Sequence, residues 1–407
     1  MCPAESRSAP EDLIRARIAS EGKLTFAAFM DAALYGPGGY YTKPGRISPG
    51  GDFFTSPAAH PAFGALITVQ LRDFWRALGR PAAFHAVEMG AGDGGLARDV
   101  TGYAPRLDPE FAHALRYVAV EQRERGAPGV EHAPPRSVTG CVLSNELLDA
   151  FPVHRFVVER GEVRELFVAL RSGEFVETPG PVSDPQIEAR ISPLLPALPD
   201  GYTGEVCLKL DAWAGEVSDI LERGYVLTVD YGWPAGELYR PDRAGGSLRC
   251  YYRHTLSQDP FRRIGNQDIT AHVDFSVLNA ALTSAGLTPL GLTSQAEFLE
   301  RLGLRALLRG LRSAGLPQAE ADANRMAMLE LVKPDGLGRF RVAVHAKGAS
   351  GSPAGLDSAG LPGDEADALP LPLLDSDEGH FDLMRGRYPE SGWVTGTWDE
   401  LLGGDEE

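Results

Sequence analysis

The chain has 407 residues, 43% of them hydrophobic, enough for one large α/β domain with insertions or for two domains. Its formal charge of −17 is unevenly spread. Residues 349–407 hold 14 acidic side chains against two Arg, a net of −12, leaving only −5 for residues 1–348. A nearly balanced body without a basic stripe excludes a role that depends on gripping nucleic-acid phosphates.

Apolar residues at helical spacing (Leu13, Ile14, Ile18, then Phe26, Phe29, Met30, Ala33) predict two short helices within 11–35. Gly36-Pro-Gly-Gly-Tyr-Tyr41 and Gly51-Asp-Phe-Phe-Thr-Ser-Pro57 read as loops, and Phe63 to Leu78 as a helix with an aromatic face. An alternation of strands and helices then begins: strand 84–89, helix 95–103, strands 116–121 and 140–145. Period-two patterning over Val153–Val158, Val163–Leu170 and Glu174–Glu177 predicts a small antiparallel β insertion. A Pro-rich loop at 179–200, a strand near 204–210 and a helix 211–222 lead to the apolar strand 225–230. Residues 231–270 read as a long functional loop. Helices 274–285, 294–313 and 317–330 and a strand 339–346 follow. From Ala349 the composition is that of a disordered acidic tail, interrupted by an apolar patch at Phe381–Met384, Trp393 and Trp398.

Cys2, Cys141, Cys207 and Cys250 form no C-x-x-C pair, and scattered His and Cys supply no ligand set, so neither a metal site nor a disulfide framework is expected. No run approaches the length of a membrane span, and Met1-Cys-Pro-Ala-Glu-Ser resembles neither a secretory signal nor an Arg-rich presequence. These features predict a cytoplasmic protein without membrane insertion.

The most informative stretch is Phe84 to Gly95, an apolar strand running into Gly90-Ala-Gly-Asp-Gly-Gly95 and then a helix. Such a turn lets a ligand approach the backbone closely. Gly90, Gly92 and Gly95 also spell G-x-G-x-x-G, so the glycines alone do not choose between a dinucleotide and S-adenosylmethionine. Glu88, at the strand end, suits a cationic methionine ammonium better than a pyrophosphate. Ser144-Asn-Glu-Leu-Leu-Asp-Ala-Phe-Pro152 follows a second apolar strand and supplies a polar pocket there. Both point to S-adenosylmethionine, and no Tyr-x-x-x-Lys pair supports a nicotinamide oxidoreductase.

Several strings occur in one order: Gly36–Tyr41, Gly51–Pro57, Phe63-Gly64, Glu88–Gly94, Ser144–Val153, Asp230-Tyr-Gly232 and Asp268-Ile-Thr-Ala-His-Val-Asp-Phe275. Over residues 10–348 the chain resembles the MidA family of S-adenosylmethionine-dependent methyltransferases, whose mitochondrial members assist respiratory complex I assembly and methylate an arginine of one subunit. The resemblance implies a class I (Rossmann-like), doubly wound, mostly parallel α/β sheet with an antiparallel β insertion and added helices. It also implies an N-terminal helical and loop cap at 1–80, a methyltransferase domain at 81–348 with insertions at 151–205 and 231–335, and a tail at 349–407. Three departures stand out: Ala58 and Ala65 replace the family's usual Glu, and an extra Gly precedes Tyr40.

For the site, Gly90, Gly92 and Gly94 are expected to receive the cofactor's methionine portion, Glu88 its amino group, and Glu121 the ribose hydroxyls. By resemblance, Asp52, Thr55, Ser56 and Pro57 close over the cofactor; a plain turn is the competing account. Asn145, Glu146 and Asp149 lie at and after the end of strand 140–145, where the methyl group is expected. A guanidinium acceptor calls for a carboxylate, first Glu146 and then Asp149, which share a face if the segment is helical. Helix capping is the structural alternative for both. Asp230 and Tyr231 are expected to line the substrate pocket. His272 and Asp274 are read either as a buried hydrogen-bonded pair or as substrate contacts, with His254 a weaker candidate. The expected function is a protein arginine methyltransferase acting on a partner subunit during complex assembly. The alternatives are a small-molecule N- or O-methyltransferase and a non-catalytic assembly factor of the same fold. Arg385-Gly-Arg387 in the tail is of the Arg-Gly type favoured by some arginine methyltransferases, which reads as a self-substrate or pseudosubstrate.

Overall fold

The computed structural model describes residues 9–43, 55–121, 130–131, 133–252 and 255–374. Asp52, His254, the 381–398 apolar patch and Arg385–Arg387 therefore lie outside the described residues. The centre is a seven-stranded mixed sheet: β1 Phe84–Met89, β2 Leu115–Val120, β3 Val130–Glu131, β4 Val138–Asn145, β5 Leu221–Asp230, β6 Thr288–Ser294 and β7 Arg341–Lys347. Their order is β6-β7-β5-β4-β1-β2-β3. All neighbours are parallel except β7, which runs antiparallel to both β5 and β6. The protein is thus α/β, as expected.

Side chains alternate between the two faces, and each face is covered by helices. On one, Ala86, Cys141, Leu143, Tyr225 and Leu227 pack with α1 (Ala62–Ala77), α2 (Gly95–Leu107) and residues of the later helices. On the other, Val87, Val142 and Val226 meet α3 (Lys209–Ile220) and α4 (Phe275–Ser284). Burial on both faces is why these strands read as nearly continuous apolar runs. The stacked rings of Phe74 and Tyr225, 4.1 Å apart, tie α1 to β5.

Several expectations need correction. Within the anticipated cap at 1–80, α1 belongs to the main core, whereas Ala9–Glu21 and Phe26–Leu34 pack with Val153, Val168, Leu248 and Ile269. The anticipated insertion at 231–335 contains β6, an unforeseen strand of the main sheet. Its sequence, Thr-Pro-Leu-Gly-Leu-Thr-Ser, looks like a turn, but an edge strand tolerates Pro, and the register slips between Pro289 and Gly291. The helix expected at 294–313 is two, α5 (Gln295–Arg301) and α6 (Leu304–Arg312), followed by α7 (Gln318–Glu330). The loop at 231–270 carries a small antiparallel sheet of Arg249–Tyr252, Thr255–Ser257 and Asp268–Thr270. The Pro-rich 179–200 segment contains the helix Pro185–Ile191. The β insertion itself is present as His154–Glu159, Glu162–Arg171 and Glu174–Gly180, joined by Thr203–Val206.

Residues 349–374, expected within a disordered tail, run across the helical face as a strap. The Ala354 and Gly355 N–H groups donate to Asp73 Oδ2 (3.0 Å) and Gln70 Oε1 (2.9 Å). Glu365 pairs with Arg72 (2.7 Å) and Arg76 (3.0 Å), and the Leu374 N–H donates to Asn324 Oδ1 (2.8 Å). Leu356, Leu361, Leu369 and Leu371 pack on the main core as well, and composition hid this because they are spaced among Gly, Pro and Asp without helical or strand periodicity. Ending the chain after residue 348 is expected to lower the melting temperature by at least ~5 °C, since buried Arg72 loses its partner. Ending it after 374 keeps these bonds and is expected to melt higher than ending it after 348; equal melts for both truncations would make the strap energetically idle.

Candidate active site

β1 ends at Met89 and the chain turns through Gly90, Gly92 and Gly94, with φ of +77°, +58° and +75°. These left-handed conformations suit glycine, and a Cβ on Gly90 would meet Leu147 Cδ1 at 2.7 Å. The Gly90 and Ala91 N–H groups donate to the Val120 carbonyl (2.9 and 3.1 Å), pinning the turn to the end of β2. Glu121, just beyond β2, accepts from the Gly92 N–H through Oε2 at 3.2 Å.

Glu88 is 4% exposed, and its Oε2 accepts from the Tyr117 hydroxyl at 2.9 Å. Burial pushes its pKa up to about 8; Asp93 and Glu121 add to the rise, and Tyr117 offsets part of it. A buried carboxyl whose one hydrogen-bond donor among the described residues is the neutral Tyr117 hydroxyl is short of a cation, which is the chemistry an ammonium supplies. The glycine turn and Glu88 therefore fit the methionine end of S-adenosylmethionine.

The direction of this shift is testable. A folded-state carboxyl pKa above the ordinary 4.5 favours folding at low pH, a contribution lost as pH rises from 4.5 towards 8. An ammonium arriving beside Glu88 favours the carboxylate and so expels a proton. S-adenosyl-homocysteine, which keeps the amino group, is expected to release about one proton on binding near pH ~6.5 and almost none near pH ~9.5. Calorimetry in buffers of different ionisation enthalpy reads this directly. No proton release at the lower pH would remove Glu88 as the ammonium partner.

β4 and β5 are neighbours and end side by side, Asn145 opposite Val229. The Glu146 N–H donates to the Val229 carbonyl (2.9 Å), which holds Glu146 at φ +50°, a strained setting for a non-glycine residue. Its Oε1 accepts from Asn145 Nδ2 (3.0 Å) and from the Ser56 N–H (3.1 Å). Oε2 has no hydrogen-bond partner among the described residues. Burial, then Asp149, push this carboxyl up to about 8, against the pull of Ser56 and Asn145.

The next residues form a single 3₁₀ turn, Leu148–Ala150. Asp149, 5% exposed, is hydrogen-bonded to Tyr231, and burial raises it to about 6. Asp230, fully buried at the end of β5, accepts from the Leu148 N–H through Oδ2 and from the Tyr231 N–H through Oδ1, each at 2.9 Å. Burial and the neighbouring Asp149 hold its pKa well above the ordinary range. Glu146, Asp149 and Asp230 thus converge because two adjacent parallel strands end together. The shared helical face expected for Glu146 and Asp149 is replaced by this turn, and Asp149 caps no helix.

Thr55, Ser56 and Pro57 open the short helix Ser56–Ala59. Ser56 is fully buried, and its hydroxyl donates to Gln295 Oε1 (3.1 Å), while Gln295 Nε2 donates to the Leu331 carbonyl (2.9 Å). The segment is therefore more than a plain turn: it brings a backbone N–H onto Glu146. Ala58 is part-buried in the same helix, and Ala65 is buried within α1. His272 and Asp274 are not a hydrogen-bonded pair. Asp274 caps α4 by accepting from the Ser276 and Val277 N–H groups, a local demand of the helix start. The His272 ring meets Tyr231 edge-on at 5.4 Å, and burial lowers its pKa to about 4.

The sequence did not single out Gln295, which carries no local signature, or Tyr35 and Tyr41 individually. Tyr35 donates its hydroxyl to the Ala150 carbonyl (2.8 Å) and Tyr41 donates to Asp268 Oδ2 (2.9 Å). The tyrosines around Gly36–Tyr41 were the available signal. Among the described residues, no group of three or more His, Cys, Asp or Glu is arranged to hold a metal ion, and no helix is long and apolar enough to cross a membrane.

With this geometry in view, the chain belongs to the family described as "Putative S-adenosyl-L-methionine-dependent methyltransferase", whose model matches residues 66–127 and 128–293. It is a methyltransferase with S-adenosylmethionine as its cofactor. It is 29% identical to "Protein arginine methyltransferase NDUFAF7 homolog, mitochondrial" of Drosophila melanogaster, covering 75% of this chain and 77% of that one. The Mus musculus protein of the corresponding name is 27% identical, covering 78% and 80%. A crystal structure from Burkholderia thailandensis bound to S-adenosyl-homocysteine superposes with a TM-score of 0.74 at 28% identity, covering 88% of this chain and 96% of that one. The resemblance drawn from the sequence motifs is borne out. The expected cytoplasmic location is corrected, because the animal relatives are named as mitochondrial proteins.

Proposed function

We propose that this chain is a class I, doubly wound protein arginine N-methyltransferase that modifies a subunit of a larger assembly. The observation that carries the reading is the open Oε2 of Glu146, beside Asp149 and Asp230, at the end of the strands next to the glycine turn. S-adenosylmethionine, when bound, supplies an electrophilic methyl carbon on a sulfonium. Glu88 and the turn at Gly90, Gly92 and Gly94 hold its amino-acid end, Glu121 its ribose, and Asn145 with Thr55, Ser56 and Pro57 line the same space. Asn145 and the Ser56 N–H fix Glu146 Oε1, so that Oε2 aligns one guanidinium nitrogen. Methylating that nitrogen releases one proton. The arriving guanidinium favours the carboxylate form of Glu146, near 8 without it, so its own proton leaves on binding. Glu146 and Asp149, near 6, then stand ionised to take the proton released on transfer. Tyr231 steadies Asp149, and the names of the relatives support an arginine acceptor.

The decisive experiment incubates the protein with methyl-labelled cofactor and cell lysate, then hydrolyses the labelled material. Label in protein as methylarginine is expected. Label confined to small metabolites would favour the alternative small-molecule methyltransferase, and no label at all would favour a non-catalytic assembly factor.

A further inference from the structure

The strongest charged feature outside the carboxylate cluster surrounds Trp233. This residue lies in the short strand Gly232–Trp233, just past Tyr231, paired with Val273–Asp274. The guanidinium carbons of Arg341, Arg243 and Arg339 lie 4.4, 4.9 and 5.5 Å from the centre of its ring. Arg339 is exposed and Arg243 and Arg341 are half-buried, whereas the more enclosed arginines are neutralised: Arg155 lies between Glu177 and Glu205, and Arg72 on Glu365. Around Trp233 the described residues offer little. Glu237, half exposed, is 3.7 Å from Arg341, and Asp242 is held by Arg240 at 3.0 Å. Arg243 and Arg339 have no carboxylate within 4.0 Å among the described residues. Three guanidinium groups within 5.5 Å of one ring centre gather positive charge at one spot, and among the described residues only Arg341 has a carboxylate near it. An anion would balance that charge.

The patch has a defined place in the sheet. Arg341, at the start of β7, is directly opposite Asp230. β1, which carries the glycine turn, is three strand spacings from β7, or ~14 Å, whereas β5 is one. The arginines therefore border the acceptor side and not the cofactor side. Tyr231 bridges the two regions: its hydroxyl bonds to Asp149, and its ring packs on His272 and on Phe340, which lies between Arg339 and Arg341.

We propose that Arg243, Arg339 and Arg341, together with Trp233, bind acidic side chains that flank the target residue in the protein substrate. This rests on the arginine-acceptor reading above. The target's positive charge enters the carboxylate cluster, and carboxylates two to four residues along an extended chain, ~7–14 Å away, reach the arginines. Bidentate guanidinium–carboxylate pairing supplies both attraction and register. A nucleic acid is disfavoured because residues 1–348, with a net charge of −5, carry no extended basic stripe to follow a phosphate backbone.

The test uses the full chain saturated with S-adenosyl-homocysteine and two fluorescent peptides. Each has a central Gly-Arg-Gly, one flanked by pairs of Glu and the other by pairs of Gln. The Glu peptide is expected to bind about five- to tenfold tighter at low salt, with the preference shrinking as salt rises. The double variant Arg243→Gln, Arg339→Gln should lose that preference while its melting temperature and S-adenosyl-homocysteine affinity stay unchanged. Equal binding of the two peptides by the unaltered chain would overturn the proposal, as would a preference that survives in the variant. A preference seen only after removal of residues 375–407 would assign the patch to the chain's own acidic segment and also overturn it. A separate assay with labelled cofactor distinguishes the two readings. Transfer to both peptides without an acidic preference sinks this inference alone. Absence of transfer, with the preference and its loss intact, sinks the arginine acceptor instead.

Discussion

Glu146→Gln is expected to reduce methyl transfer by about 10²- to 10³-fold while leaving S-adenosyl-homocysteine affinity within about twofold. A Gln side chain retains an oxygen for Asn145 Nδ2 and the Ser56 N–H, so the local bonds at Oε1 survive. What is lost is the negative charge at the open Oε2 position and its capacity to take a proton. Among the described residues the hydrogen bonds of the Glu146 side chain go to Asn145 and Ser56 and none to the glycine turn, so the cofactor's amino-acid end should not register the change. Removing a carboxyl raised to about 8 should also make the unliganded fold less sensitive to pH between 4.5 and 8. A melt that becomes flatter over that range in the variant would verify that the raised pKa belongs to Glu146. Full transfer activity in Glu146→Gln would remove the guanidinium-holding role altogether.

Gly92→Val should weaken cofactor binding by at least ~100-fold without unfolding the sheet. Gly92 has φ +58°, where a β-branched side chain is strained, and its N–H is bonded to Glu121. Relief of the strain requires the turn to move. Moving it disturbs the bond to Glu121 and the neighbouring bonds to the Val120 carbonyl, the features that set the turn against β2. Calorimetry with S-adenosyl-homocysteine measures the loss, and near-ultraviolet circular dichroism checks that the aromatic core around Phe74 and Tyr225 is intact. Unchanged affinity would mean that the ligand does not lie on this turn. The two variants thus separate donor binding from acceptor chemistry: one should lose the ligand, and the other should keep it and lose the reaction.

Much of the main sheet was legible because its strands are local. Phe84–Met89 and the Tyr225–Asp230 part of β5 are mostly apolar runs buried on both faces, whereas Leu221–Gly224, with Glu222 and Arg223 exposed, was read as the end of a helix and a turn. The glycine turn was equally plain, since three residues at positive φ leave a mark in composition. β6 was missed because an edge strand with Pro289 and Gly291 violates strand propensity and forms only by pairing with β7, some fifty residues later. The strap at 349–374 was missed for a related reason: its partners, Gln70, Asp73, Arg72 and Asn324, are distant in sequence.

At the site, the sequence by itself determined the ingredients: a glycine turn, Glu88 at a strand end, and acidic side chains after the fourth strand. These depend on residue type and short spacing, which the chain states directly. Only the tertiary structure decided the pairings. Adjacent strand ends bring Asp230 to Asp149, a segment ninety residues upstream of Glu146 supplies the Ser56 N–H, and Asp274 becomes a helix cap instead of a partner for His272. The charge states follow from that convergence, because the shift of each carboxyl comes from burial and from neighbours that the fold, not the local sequence, places beside it.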